Sequence, residues 1–163
     1  MSPDHSAAPT DFDAINEGRW RVAHRRLNAR LAGGTDWKTL AGTSTTRKVL
    51  EGFGNVEDNV LDLPDGPVHA LALRSFDLAS RRWAIWWLDG RSPHQLDVPV
   101  IGGFSNGIGK FFAADTLAGR SIRVRFHWHP NPGANPRWEQ AFSPDDGATW
   151  ETNWTMEFAR VGD

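Results

Sequence analysis

The chain has 163 residues, no cysteine, and 18 basic against 20 acidic side chains, for a net charge of −2. That length suits one domain able to bury about 70% of its unfolded surface. The missing thiols exclude disulfides, thiolate nucleophiles and Cys-ligated metal sites, and the slightly acidic balance is the reverse of a nucleic-acid binder's footprint.

Residues 1–10, with Pro3, Asp4, His5 and Pro9, read as a flexible tail that lacks the basic patch and apolar run of a leader. No stretch reaches the roughly 20 apolar residues of a membrane span. The expectation is a soluble, cytoplasmic chain with no membrane partner, in which residues 11–163 form one domain. Phe12 to Glu17 has a briefly helical look. From there on, turn chemistry recurs, as at Gly33-Gly34, Pro64-Asp65-Gly66-Pro67, Asp89-Gly90, Asn106-Gly107, Asn131-Pro132-Gly133 and Asp145-Asp146-Gly147. Between these points apolar residues alternate, as in Trp83, Ile85, Trp87 and Val124, Phe126, Trp128, which is the period of a half-buried strand.

The segments predict about ten strands, at 19–31, 37–48, 54–62, 68–76, 82–89, 95–104, 108–114, 120–129, 135–143 and 149–160. Short links impose up-and-down antiparallel order, and closing the sheet removes edges that would otherwise recruit other chains. The predicted fold is therefore all-β, a single closed barrel wide enough to enclose a cavity.

Gly18-Arg19-Trp20 opens the first strand and Arg160 stands near the end of the last. This resembles the calycin signature, in which the Trp of G-x-W closes one barrel end beneath an Arg of the final strand. The resemblance implies that Arg160 lies over Trp20, a cation–π pair worth about 0.5–2 kcal/mol. From Phe12 to Arg160 the chain looks like the lipocalin-like bacterial domains grouped near nitrobindin-type haem proteins. That likeness implies a calycin-like barrel with a short N-terminal helical turn and, through an internal His24, haem; otherwise no cofactor is expected. Ser143, Asp145, Gly147 and Trp150 also fit the S-x-D-x-G-x-x-W Asp box of sialidases. One copy cannot build a propeller, so the motif reads as a hairpin in which Asp145 bonds turn amides and Gly147 takes positive φ.

With Trp20 and Arg160 inward, alternation places Val22, His24 and Arg26 inside, along with Trp150, Thr152, Trp154, Met156 and Phe158. Trp138, Gln140 and Phe142 join them, while Glu139, Glu151, Asn153 and Glu157 face solvent. Which face of 82–89 is internal stays open, because Trp86 competes with Trp83, Trp87 and Asp89. The resulting wall reads either as ordinary core packing or as a pocket for a small hydrophobic or aromatic molecule. Its candidate ligand-binding residues are Trp20, His24, Trp83, Trp87, Phe126, Trp128, Trp138, Gln140 and Trp154.

His24 is the one candidate catalytic residue. An internal imidazole serves as a general base in an isomerase, cyclase or dehydratase, as a haem ligand, or as a buried hydrogen-bonding group, with Glu57 or Asp58 as its partner if the third strand runs nearby. His127 and His129 have chelating spacing, but Arg123 and Arg125 share their face and no metal is assigned. Arg19, Arg21 and Arg25 read as an outer face paired with carboxylates of adjacent strands. Neither a phosphate-binding glycine loop nor a nucleophile elbow occurs. No outer apolar stripe marks a dimer face, although barrel exteriors allow a homodimer.

Overall fold

Residues able to adopt left-handed backbone reverse the chain between strands. Asn106 and Gly107, Ala118 and Gly119, and Asp146 and Gly147 all have positive φ, and at the two-residue links this is the twist that tight hairpins need. In the computed structural model, which describes residues 7–131 and 134–162, these turns connect ten strands. They are β1 (Gly18–Leu27), β2 (Trp37–Val49), β3 (Gly54–Leu63), β4 (Gly66–Asp77), β5 (Arg82–Asp89), β6 (Val100–Ser105), β7 (Ile108–Leu117), β8 (Arg120–His129), β9 (Arg137–Ser143) and β10 (Glu151–Arg160). Each pairs antiparallel with the next, and β1 pairs with β10 to close the barrel. His5 and Pro132-Gly133 lie outside the described residues. No helix among the described residues is long and apolar enough to cross a membrane.

β9 and β10 start two residues later than the sequence predicts, and two other strands are shortened more. β1 stops at Leu27 because the chain turns through Leu31 at φ 58. β6 starts only at Val100, since residues 90–99 form a loop held to β5 by a single Leu88–Leu96 bridge and by the Asp97 amide on the Trp87 carbonyl. The expected helical turn is a pair of four-residue turns, Asp13 N–H to Thr10 O and Ile15 N–H to Phe12 O, and the one 3-10 segment among the described residues, Leu50–Gly52, runs through positive φ.

That N-terminal segment seals one barrel end. Phe12 and Ile15 are 1% and 2% exposed. Phe12 meets Trp83 edge-on at 4.8 Å and Phe104 at 5.0 Å, while the Trp83 indole donates to Asp11 Oδ2 at 2.9 Å. Beside it the Arg160 guanidinium lies 4.3 Å from the centre of the Trp20 ring and donates to the carbonyls of Glu17 and Ala14 at 3.1 and 3.4 Å. Gly18 makes this possible: its φ is +122, and a Cβ there would run into the guanidinium. Gly18→Ala is expected to cost about 1–3 kcal/mol through backbone strain and displaced Arg160, read as a lower denaturant midpoint with unchanged slope.

The interior is not uniformly apolar. β3 turns Asn55, Glu57 and Asn59 inward, and all are buried, while Val56 and Val60 of the same strand are only half-buried. Arg74 of β4 meets this polar row, donating to Asn55 Oδ1 at 2.7 Å and to Glu57 Oε1 at 2.5 Å, with both charged side chains 2% exposed. The expectation of Glu57 as a partner of His24 is therefore corrected. Leu61, Ala70 and Ala72 share the inside of β3 and β4 with these polar groups, and on the outside Leu71 and Leu73 of β4, Ile101 of β6 and Phe112 of β7 are exposed, where no outer apolar stripe was expected. The outer arginines also differ from expectation. Arg19, Arg21 and Arg25 face Thr45, Thr43 and Thr39 of β2 rather than carboxylates, and Arg25 instead lies 4.9 Å from the Trp37 ring.

Candidate functional site

The end opposite the Phe12 plug is open. There a cavity of about 400 Å³ is walled by Ile85 and Trp87 of β5, Val124 and Phe126 of β8, Trp138, Gln140 and Phe142 of β9, and Trp154 of β10. Strand alternation aims these side chains inward, and it settles β5 as well: Trp83 and Ile85 are buried in the core and Trp87 lines the cavity, leaving Trp86 outside. The rings meet edge to face, Trp154 with Trp138 at 5.1 Å, Trp154 with Trp87 at 5.5 Å, and Phe126 with Trp138 at 5.0 Å. Such pairs are worth about 0.5–1.5 kcal/mol beyond their buried area and hold the wall rigid.

A bulge in β10 builds part of this wall. The register with β9 shifts between Thr152 and Trp154, so Trp154 stands opposite Gln140 and Asn153 turns inward, fully buried. Asn153 Oδ1 accepts a hydrogen bond from Gln140 Nε2 at 2.8 Å, which fixes the Gln140 amide in the cavity wall. The same extra residue reverses the parity before it. Trp150, expected inside, therefore lies outside, beside Phe112 at 6.1 Å with Arg125 over its ring at 4.6 Å. Asn153, expected on the solvent face, is buried for the same reason. The Asp-box residues form the hairpin just upstream: Asp145 Oδ1 accepts from Ser143 Oγ and from the Thr149 amide, both at 2.8 Å, and Gly147 has φ +92.

Of the candidate residues, Trp87, Phe126, Trp138, Gln140 and Trp154 come together around the cavity. Trp20, Trp83 and Trp128 belong instead to the sealed half, where Trp128 lies 6.0 Å from Phe12 and 4.9 Å below Arg74. His24 sits between the two regions, 2% exposed, behind Trp154. Its Nδ1 accepts the Trp154 indole N–H at 3.1 Å, which leaves the ring proton on Nε2. Room for that edge comes from Gly42, where a Cβ would sit 3.0 Å from Nε2 and 2.5 Å from the Val60 carbonyl. Burial first, then the neighbouring Arg26 charge, lowers the His24 pKa to about 4.

His24 is thus a neutral imidazole that orients a cavity-wall indole, and its Nδ1 lone pair is already engaged. The group has a folded pKa below its unfolded value of about 6.5, so the unfolded chain takes up the proton first as pH falls. Stability contributed by neutral His24 is complete above pH 6.5 and is lost progressively down to about pH 4, by about 3 kcal/mol. In His24→Gln, which keeps an acceptor for the indole, the decline between pH 6.5 and 4 is expected to be shallower by roughly that amount, measured by denaturant unfolding across that window.

Haem does not fit these residues. No described histidine lines the cavity, and the buried His24 offers its accepting nitrogen to Trp154.

The mouth is polar and asymmetric. Arg26 from β1 and Arg30 from the loop after it stand on one side, with Asp89, Asp97 and Asp115 from the β5–β7 side. Asp89 is chelated by Arg91 through Nη2 at 2.8 Å and Nε at 3.1 Å, and this hydrogen bonding keeps its pKa below the usual carboxylate value. Asp97 is pushed the other way, by burial and by its neighbours Asp115 and Asp89. Arg30 reaches the mouth through the loop that follows β1, so strand alternation alone does not place it there.

On the barrel exterior, His127, His129 and Glu139 bring one ligand-type atom each within 4.8 Å of one another, and His127 Nδ1 lies 3.0 Å from Glu139 Oε1. Burial, aided by Arg125 and Lys110 against the opposing Glu139, holds the His127 pKa below its ordinary value.

No protein-family model matches the chain, and no curated protein matches it.

Proposed function

We propose that the protein binds a small hydrophobic or aromatic molecule in the open-ended cavity, as a carrier or sensor with a calycin-like barrel. The observation that carries this reading is a cavity of about 400 Å³ whose wall is made of edge-to-face Trp and Phe rings with one fixed amide, Gln140, among them. Binding sites are mostly apolar with a few placed polar groups, and this wall has that composition. Sealing of the opposite end by Phe12 supports it further, since the barrel then has one entrance and a floor rather than a solid core throughout. The Trp20–Arg160 pair beneath Gly18 supports the calycin-like assignment.

The test is native mass spectrometry of the protein as purified, followed by titration with aromatic probes under tryptophan excitation. A discrete mass excess lost on denaturation, or saturable quenching at one equivalent, is expected. A bare mass together with no quenching by any probe would sink the reading.

A further inference from the structure

The cavity mouth holds two cations that form no ion pair among the described residues. Arg26 ends the inward row of β1, and Arg30 follows in a loop pinned by the Leu31 N–H on Glu151 Oε1 at 2.7 Å. Their guanidiniums lie over aromatic faces of the wall, Arg26 at 4.6 Å from the Trp154 ring centre and Arg30 at 5.4 Å from that of Phe142. Among the described residues neither makes an ion pair, whereas Arg74 and Arg91 each have a carboxylate within 2.8 Å. Burial lowers the basicity of both, and like charge adds to it, from Arg91 on Arg26 and from Arg26 on Arg30, against a smaller opposing pull of Asp89 on Arg26.

Two like charges drawn partly out of water are unfavourable unless an anion joins them. A guanidinium stacked by its face on a ring keeps its N–H edge free, and that edge matches a carboxylate, sulfonate or phosphate oxygen pair. The acids of the mouth do not fill this role. Asp89 is taken by Arg91, and Asp97 and Asp115 come from the β6–β7 side of the barrel, across from the β1, β10 and β9 wall. Because burial and its acidic neighbours favour the protonated form of Asp97, that side suits a hydrogen-bond donor and repels a second anion.

Building on the cavity reading above, we infer that the ligand is a planar aromatic acid, its ring against Trp154 and Trp138 and its anionic group held between Arg26 and Arg30. The aromatic wall recognises the ring, the arginine pair recognises the charge, and the acidic side sets which way round the molecule enters. An uncharged aromatic of the same shape fills the wall but leaves the arginines unpaired.

Two fluorescent probes with one ring system separate these contributions: anilinonaphthalene sulfonate, which carries the anion, and its uncharged parent phenylnaphthylamine. In the native protein the sulfonate is expected to bind at least about tenfold more tightly, the scale of one charge-assisted hydrogen-bonded pair. Arg30→Gln, in a loop, and Arg26→Gln, at a strand end, are each expected to narrow that gap about fivefold or more. Equal affinities in the native protein, or a gap unchanged in both variants, overturn the anion inference while leaving the cavity reading intact. Binding of neither probe overturns both.

Discussion

Glu57→Ala is expected to destabilise the barrel by about 3–5 kcal/mol, the usual cost of leaving one member of a buried ion pair alone. Arg74 has no route to water, being 2% exposed, and its guanidinium is pressed against Phe12 at 5.1 Å and Trp128 at 4.9 Å. Without Glu57, its nearest remaining acceptor is Asn55 Oδ1 at 2.7 Å, a neutral oxygen facing a full charge. The effect should spread to the sealed end, because Arg74 supports the face of the Phe12 plug. The decisive comparison is the double variant Glu57→Leu with Arg74→Met, which removes both charges at similar volume and should recover most of the loss. Denaturant unfolding of the native protein, Glu57→Leu, Arg74→Met and the double variant gives the cycle. A double variant as unstable as the worse single one would mean that the polar row on β3, rather than the charge pair, holds that side of the barrel together.

Trp154→Ala is expected to cost about 3–5 kcal/mol and to abolish aromatic binding. This side chain touches Trp87, Trp138, the Arg26 guanidinium and His24, so truncation removes a wall, a cation–π platform and a hydrogen bond together. Trp154→Phe divides these roles. It keeps an apolar ring at the wall but deprives His24 Nδ1 of its donor, an omission worth about 1–3 kcal/mol for a buried group. The expected pattern is measurable binding in Trp154→Phe with reduced stability, and neither binding nor native stability in Trp154→Ala. Full probe affinity in a folded Trp154→Ala protein would remove the cavity from the binding reading.

Much of this architecture is legible in the chain because it rests on local geometry. Turn residues such as Asn106-Gly107 can hold positive φ wherever they occur, and period-two alternation aims Val124, Phe126 and Trp128 the same way without help from distant residues. Short links then leave antiparallel closure as the way to pair every edge. The Trp20–Arg160 pair was implied by the likeness to the calycin signature, and pairing of β1 with β10 sets the two residues opposite one another.

Other features were decided only by strands meeting. Parity holds along a strand until a bulge adds a residue, so the inward turn of Asn153 and the outward turn of Trp150 depended on the β9–β10 register. The polar inside of β3 inverted the rule that apolar residues face the core, because Arg74 from the neighbouring strand pairs Asn55 and Glu57, while Asn59 Nδ2 donates to the Glu57 carbonyl within β3 itself. His24 showed the same limit. Its type and parity announced a buried imidazole, but the hydrogen bond from an indole 130 positions away turned it from a candidate base into a support for the wall. By itself, then, the sequence determined the strands, their order and the indole-rich interior, which follow from backbone sterics and burial; the tertiary structure decided which rings share the open cavity and which charges stand at its mouth, because pairing between distant side chains depends on register and closure.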